Sequence, residues 1–316
     1  MGFYLGIDLG GTNIVAGVVD ERYGIIEKSR RPTNLKRSFG EIVADMAAAG
    51  TDALLSAGLT RADVSYVGIG VPSSVHPKTR QLVFANNLGW KNADVVGEFQ
   101  KSWEVPVYVG NDADCAALGE CLAGAGREYD SILMITLGTG VGGGVVLHKK
   151  VFLGGDGFGI EPGHISIIHD GFLCTCGRKG CLEAYASVTA LIRQSIDLMM
   201  VYPHSLMWEE CGHDLNKVAG RTAFNAAKRG DVPGKMVVDQ YIDYLGGGLA
   251  SMVTFLRPQA IIVGGGVSNE GEYLLQPLRQ LVSQTIYAHD ILDSPPIIKA
   301  QLGNDAGVIG AALLDR

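Results

Sequence analysis

The chain has 316 residues, of which 47% are hydrophobic and 44 are glycine, about twice the usual share of roughly 7%. Lys and Arg number 26 against 33 Asp and Glu, so the net charge of −7 excludes a basic surface for nucleic acid or an anionic membrane. A chain longer than roughly 250–300 residues favours two domains over one.

Apolar runs of strand length alternate with helical patterns along the chain. The predicted strands are Tyr4–Ile7, Ile14–Val19, Val64–Val71, Val105–Val109, Ile132–Thr136, Gly144–Leu147 and Ala260–Val263. The predicted helices are Phe39–Ala57, Cys115–Ala123, Val188–Tyr202, Thr222–Arg229 and Val237–Leu256, with a last, small-residue helix within 303–312. This alternation predicts an α/β fold with mixed sheets.

No segment carries a targeting or membrane signal. Met1–Asp8 lacks the basic start of a signal peptide, and the longest uncharged stretch, Ser131–Leu147, has 17 residues and five glycines, short of the roughly 20 of a membrane helix. We therefore expect a cytoplasmic protein with no membrane partner and no nucleic-acid partner.

Two glycine-rich turns stand between strand pairs, at Asp8–Thr12 and at Thr136–Gly140. Backbone N–H groups of such turns can converge on a phosphate, although the same glycines can also simply close a hairpin. The letters G-x-G-x-x-G at Gly138–Gly143 are followed by a predicted strand instead of the helix that a dinucleotide motif requires. A strand-turn-strand phosphate site remains.

Three cysteines and a histidine form the most specific cluster: His164, Cys174, Cys176 and Cys181. Three thiolates and one imidazole suit tetrahedral Zn²⁺ in a closed, structural site. The alternatives are buried free thiols or a redox pair.

Several polar residues follow predicted strands or flank the cysteine loop. Asp112 or Asp114, after the fourth strand, is either a catalytic carboxylate or the N-cap of the next helix. The side chains of Asn86 and Asn87 could form hydrogen bonds with substrate hydroxyl groups, or the two residues could form an ordinary turn. If zinc fixes their loop, Glu161 and Glu183 suit hydrogen bonds to vicinal hydroxyl groups; the alternative is that they are ordinary surface glutamates. Gly264–Gly266 leaves room for a flat ring beside the backbone; the alternative is a simple turn.

Together these segments resemble the ROK family (repressors, open reading frames and sugar kinases) and, within it, the bacterial glucokinases. The resemblance is carried by Asp8–Thr12, Asn111–Ala113, Leu137–Gly144, Glu161–His164, Cys174–Glu183, Gly264–Gly266 and Asp305–Ala312. It implies a duplicated actin/hexokinase-like (ribonuclease H-like) α/β fold of two domains around a cleft. We expect a small domain at 1–115 plus 303–316 and a large domain with the zinc loop at 116–302.

The resemblance also implies an activity, namely transfer of the ATP γ-phosphate to the 6-hydroxyl of glucose with ATP and Mg²⁺ and with a structural Zn²⁺. Asp112 would be the general base. The implied sugar contacts are Asn87, Asn111, Asp112, Glu161, His164 and Glu183. The implied nucleotide and Mg²⁺ contacts are Asp8, Gly10, Gly11, Thr12, Thr139, Gly140, Gly265 and Gly266. The implied zinc ligands are His164, Cys174, Cys176 and Cys181.

One departure from the family bears on the substrate. Where the family usually has Pro-Gly-x-Val-Asp, this chain has Pro72-Ser73-Ser74-Val75-His76, so the pocket is expected to be narrower or to gain a hydroxyl. Kinases for N-acetylmannosamine, N-acetylglucosamine, allose or fructose are the alternatives. A sugar-responsive regulator without a catalytic role is disfavoured by the first strand at Tyr4 and by the negative charge. The family implies a homo-oligomer, either a dimer or a tetramer.

Overall fold

The computed structural model describes residues 2–85 and 88–315, and the chain divides into two compact units. Unit 1 comprises residues 1–133, 144–160 and 300–316, and unit 2 comprises residues 134–143 and 161–299. The limits of these units differ from the domain limits at 115 and 302 that we expect from the sequence. The expected division into two domains stays a prediction.

Unit 1 is built on a mixed five-stranded sheet. Its strands and those of a small second sheet are β1 (Phe3–Leu9), β2 (Asn13–Val19), β3 (Ile25–Pro32), β4 (Val64–Val71), β5 (Ser74–Val75), β6 (Leu82–Ala85), β7 (Trp90–Ala93) and β8 (Val107–Asn111). The main sheet has the order β3-β2-β1-β4-β8, in which β1, β2 and β3 are antiparallel and β1, β4 and β8 are parallel. The carboxyl ends of β1, β4 and β8 therefore meet at one edge.

Helices cover this sheet, namely α1 (Phe39–Ser56), α2 (Val95–Gln100), α3 (Asp112–Leu122) and, at the chain end, α10 (Ala306–Ala312). Helix α1 begins with a capping box between Ser38 and Glu41 and buries Ile42, Val43 and Met46 against Leu5, Ile7 and Leu9 of β1. Side chains alternate along a strand, so Gly6 and Asp8 lie on the other face of β1, where α10 packs.

The small residues of α10 allow backbone contact. A Cβ atom on Gly310 would overlap the Cys115 carbonyl of α3, and one on Gly68 of β4 would overlap the Ala311 carbonyl. The predicted small-residue helix within 303–312 is confirmed, and its close packing serves unit 1 itself.

A second five-stranded sheet has the order β11-β10-β9-β12-β13. Its strands are β9 (Ile132–Leu137), β10 (Val141–Leu147), β11 (Lys150–Val151), β12 (Ala260–Gly264) and β13 (Ile297–Lys299). The remaining helices, all in unit 2, are α4 (Glu183–Ala186), α5 (Val188–Val201), α6 (Met207–Glu210), α7 (Thr222–Lys228), α8 (Val232–Leu256) and α9 (Glu272–Thr285).

Every predicted strand and helix is present, with limits shifted by a few residues. The largest shift is at α8, which begins at Val232 because Asp231 caps it and Pro233 fits its first turn. Strand β8 extends through Asn111, so the polar residues expected after the strand begin inside it. Among residues 2–85 and 88–315, no helix is long and apolar enough to cross a membrane.

Candidate functional site

Two acidic side chains stand at one edge of the unit 1 sheet. Asp8, near the end of β1, is in register with Gly70 of β4, and Gly70 is in register with Gly110 of β8, two residues before Asp112. Burial raises the pKa of Asp8 to about 6, and the negative charge of Asp112 adds to the shift. Burial also raises the pKa of Asp112, opposed by backbone N–H groups. A divalent cation would relieve this crowding of negative charge.

The first turn of α3 positions Asp112. The Asn111 side chain caps the helix by accepting from the N–H groups of Ala113 (2.8 Å) and Asp114 (3.2 Å), so the expectation that Asp112 or Asp114 is the N-cap is wrong. Asparagine fits because its amide oxygen reaches these donors from extended backbone. Asp112 Oδ1 accepts from the Ala113 N–H at 2.9 Å, which orients the carboxyl group.

The first glycine-rich turn connects β1 to β2 as predicted. The Gly10 N–H donates to the Asn13 carbonyl. The Thr33 hydroxyl donates to the Gly10 carbonyl, and the Thr33 N–H donates to the Thr12 carbonyl. A Cβ atom on Gly11 would meet no neighbouring atom within 4 Å, so the space beside it is open. Gly10, Gly11 and Thr12 thus lie in a braced turn two to four residues after Asp8.

A cavity of about 400 Å³ in unit 1 is lined by Asn111 together with His76 and Phe158. The His76 Nδ1 atom accepts the N–H groups of Lys78 and Thr79, both at 3.2 Å, so the ring proton lies on Nε2. The His76 ring packs edge-on against the Phe158 ring, with 5.5 Å between the ring centroids. Ser73 is buried, and its hydroxyl donates to the Ser74 carbonyl at 3.0 Å. Asn87 lies outside the described residues.

In unit 2, Glu183 connects the second glycine-rich turn to the cysteine loop. Its Oε2 atom accepts the Val141 N–H at 3.0 Å, and its Oε1 atom accepts the Thr175 hydroxyl at 2.8 Å. A Cβ atom on Gly140 would overlap Glu183 Oε2, so a side chain here would displace the Glu183 carboxylate from its present position. The turn joins β9 to β10 and is closed by the Gly138 N–H to the Gly140 carbonyl. Thr139 and Gly140 therefore lie beside Glu183.

The cysteine cluster is assembled as predicted. The ligand atoms of His164, Cys174, Cys176 and Cys181 all lie within 4.8 Å of one another. His164 Nδ1 is 3.6 Å from Cys174 Sγ, and Cys176 Sγ is 3.7 Å from Cys181 Sγ. Zn–S bonds of about 2.3 Å at tetrahedral angles separate ligand atoms by about 3.8 Å. The cluster therefore fits one tetrahedral ion, and the other His164 nitrogen, Nε2, is left for a further contact.

Glu161 directly precedes the turn that carries His164. It is the N-cap residue of a 3-10 turn at Pro162–His164, and its carbonyl accepts the His164 N–H at 3.0 Å. Glu161 and His164 are thus held in one rigid turn of unit 2. Pro162 stabilises that turn because it fixes φ at the first position.

A separate cavity of unit 2, about 240 Å³, reaches Gly266 after β12. Gly265 has φ +81°, and a Cβ atom there would overlap the Leu137 backbone of β9, so the glycine permits a close approach of two strand ends. Val188, Arg221 and Glu270 line the same cavity. Sequence reasoning missed these three because they come from distant segments, and no local motif marks them.

The chain is similar to known proteins over nearly its full length. The model of the ROK family matches residues 4–316. A glucokinase from Thermotoga maritima is 36% identical over 309 residues, which cover 98% of this chain and 95% of that protein. A xylose repressor from Caldicellulosiruptor bescii is 28% identical, with 90% of this chain and 71% of the repressor covered.

Among solved structures, a ROK family glucokinase from Streptomyces griseus in complex with glucose and AMPPNP is 36% identical, with a TM-score of 0.82 and 99% of both chains covered. The predicted actin/hexokinase-like α/β fold is thereby confirmed. By sequence and by fold, the chain belongs to the ROK family.

Proposed function

We propose that this chain is an ATP-dependent hexose kinase that phosphorylates the 6-hydroxyl of glucose. The observation that carries the proposal is a partly buried carboxylate, Asp112, at the start of α3, with a second partly buried carboxylate, Asp8, at the same sheet edge. A glucokinase complex with a sugar and an ATP analogue is similar to this chain throughout its length.

Asp112 serves as the general base in this proposal. It takes the proton of the 6-hydroxyl as that oxygen bonds to the γ-phosphorus, while the bond from the γ-phosphorus to the bridging oxygen breaks and ADP leaves. The Ala113 N–H holds Oδ1, so the carboxyl group does not need to reorient during the step. A pKa raised by burial makes the carboxylate a stronger base at neutral pH.

Asp8 fits Mg²⁺ because carboxylate oxygen is the ligand that this ion prefers and because Asp8 lies in a region of excess negative charge. When bound, Mg²⁺ supplies charge neutralisation for the phosphates. We propose that Gly10, Gly11, Thr12, Thr139 and Gly140 bind phosphate oxygens. We propose that Gly265 and Gly266 contact the adenosine and that the cavity lined by Gly266 and Arg221 holds it.

The sugar contacts in this proposal are Asn87, Asn111, Glu161, Glu183 and Nε2 of His164. We propose Zn²⁺ as the ion of the cysteine cluster, in a closed structural role. It would fix the loop that carries His164 and, through the hydroxyl of Thr175, the position of Glu183. The residues of this chain do the chemistry, and the zinc loop holds them in place.

The test is an ADP-release assay with glucose, N-acetylmannosamine, N-acetylglucosamine, allose and fructose at equal concentrations. We expect the highest kcat/KM with glucose. A higher value with an N-acetyl sugar or another hexose would keep the kinase and change its substrate. No turnover with any of them would favour the regulator without a catalytic role. The cytoplasmic location and the homo-oligomer stay predictions, which fractionation of cells and light scattering can test.

A further inference from the structure

A second cluster of charged residues lies at the far end of α3 from Asp112. A groove of about 410 Å³ in unit 1, which we call the basic groove, is lined by Tyr23, Leu122, Arg127, His148, Lys149 and Lys150. Within the part of the chain that the structure describes, its lining holds three permanent cations and a histidine and no acidic residue. This concentration of positive charge stands out in a chain whose net charge is −7.

Lys149 is held at the base of the groove. Its ammonium donates to the carbonyl oxygens of Cys121 (3.1 Å) and Arg127 (2.8 Å), at the end of α3 and just beyond it. These contacts offset the partial negative charge of the helix C-terminus, which would otherwise repel an anion. Carbonyl groups are neutral, so the Lys149 charge is retained, and its third N–H is available to a ligand.

The other cations carry little compensation. The Arg127 guanidinium lies 3.5 Å from Glu128, but both side chains are more than half exposed, and exposed pairs of this kind contribute little. Lys150 forms no ion pair with any residue among 2–85 and 88–315. Arg127 and Lys150 can therefore turn toward an incoming anion without breaking a strong contact.

A tight hairpin turn presents these side chains. Leu147 of β10 pairs with Lys150 of β11, so His148 and Lys149 are the two central residues of the turn. Both have positive φ, +53° and +63°, as a two-residue hairpin turn requires. The turn therefore places the Lys149 side chain against the end of α3.

We propose that the basic groove binds a diphosphate group. One phosphate carries about −1.5 to −2 near neutral pH, so two together match three permanent cations better than one does. Leu122 and the Tyr23 ring give one wall that an apolar or aromatic substituent can contact. The diphosphate therefore comes either as inorganic pyrophosphate or within a nucleoside diphosphate.

The groove is separate from the proposed catalytic residues. Helix α3 has 11 residues, so its two ends are about 15 Å apart at 1.5 Å per residue. The basic groove is at the Leu122 end and Asp112 is at the other. Lys150 also lines the cavity that contains Asn111, so the test changes Arg127 alone, which should leave sugar phosphorylation intact. Failure of this proposal would not affect the kinase assignment.

The experiment is isothermal titration of the full chain with inorganic pyrophosphate at an ionic strength of about 0.05 M, where charges are less screened than at about 0.15 M. The variant is Arg127→Ala. The matched control is Lys36→Ala, which removes the same charge from another exposed site of unit 1. We expect affinity to fall at least about tenfold in the variant and to hold within about twofold in the control, with kcat unchanged in both.

Equal pyrophosphate binding by the wild type and the variant would overturn the proposal, and so would no binding by the wild type at millimolar pyrophosphate. Inorganic phosphate that binds as tightly as pyrophosphate would overturn the diphosphate class. A parallel titration with ADP separates the two sources. Two ADP sites in the wild type and one in the variant would support a nucleoside diphosphate, whereas one ADP site in both, with pyrophosphate binding still lost in the variant, would support inorganic pyrophosphate.

Discussion

Asp8 and Asp112 stand at the carboxyl ends of β1 and β8 in one sheet, and burial together with the charge of Asp112 raises the pKa of Asp8 to about 6. Two partly buried carboxylates at one sheet edge are unfavourable for folding, because each loses part of its hydration. Their arrangement suits a site in which one carboxylate binds a metal ion and the other accepts a proton. The folded chain thus carries an electrostatic cost at the place where we propose catalysis.

Replacement of Asp112 by asparagine tests the general base. Asp112→Asn keeps the shape of the side chain and removes its ability to accept a proton, so kcat should fall by at least about a hundredfold. The KM for glucose should change little, because the other proposed sugar contacts remain. Steady-state kinetics with glucose and ATP give both constants.

The control is Asp239→Asn, which changes an exposed carboxylate on α8. Its kcat should equal that of the wild type. Turnover of Asp112→Asn within a few-fold of the wild type would remove Asp112 from the role of base.

Asp8 makes stability depend on pH. Its pKa rises from an ordinary value of 3.8 to about 6 on folding, so the folded protein holds a proton that the unfolded chain has lost between these values. Stability therefore falls as pH rises from about 4 through 6, by up to about 3 kcal/mol. The Asp8→Asn variant has no ionisable group at this position, so its stability should not fall over this pH range.

Urea unfolding of both proteins at pH 4.5 and pH 7.5, without Mg²⁺, measures the effect. Asp8→Asn should gain stability relative to the wild type between the two pH values while its kinase activity is lost. A stability difference that is the same at both pH values would contradict the assigned shift of Asp8.

The cysteine cluster predicts one metal ion per chain. Cys176→Ser removes one ligand, and we expect elemental analysis to find far less than one Zn per chain, together with a rise in the glucose KM because His164 and Glu183 lose their support. Cys211→Ser, a buried cysteine outside the cluster, is the matched control and should keep its zinc. Zinc content well below one per chain in the wild type, without exposure to chelators, would defeat the assignment.

The sequence predicted this cluster and both glycine turns because each depends on residues close together in the chain. The helix cap was assigned wrongly for a different reason. Each of three neighbouring polar residues can cap a helix, namely Asn111, Asp112 and Asp114. The structure decides among them, because β8 ends at Asn111 and α3 begins at the next residue. The cavity at Gly266 depends on α5, the segment before α7 and the turn after β12, and periodicity does not bring such segments together.

Ser73 was expected to alter the sugar pocket, and its hydrogen bond limits that effect. Since the hydroxyl already donates to the Ser74 carbonyl, it has no free proton for a sugar oxygen. We expect Ser73→Gly to change the glucose KM by less than about threefold, because the loss is a local bond worth about 0.5–1.5 kcal/mol to folding. A change in preference from glucose to an N-acetyl sugar in this variant would show that the side chain does select the substrate.

The buried carboxylate of Glu120 holds α3 to the segment before α10. It accepts three backbone N–H groups, from Ala125 at 2.8 Å, Gln301 at 2.9 Å and Leu302 at 2.7 Å, and its side chain is fully buried. Glu120→Gln replaces one acceptor oxygen by an amide that donates, so at least one N–H loses its partner. We expect a loss of about 2–4 kcal/mol in the free energy of unfolding.

Urea unfolding measures this loss, and Glu128→Gln is the matched control because that carboxylate is largely exposed. The control should lie within about 0.5 kcal/mol of the wild type. Activity separates structure from chemistry, since Glu120 lies two turns of α3 beyond Asp112. Below the unfolding temperature of the variant, its kcat should match the wild type, so a large drop in kcat in a folded Glu120→Gln protein would mean that this contact also positions the proposed base.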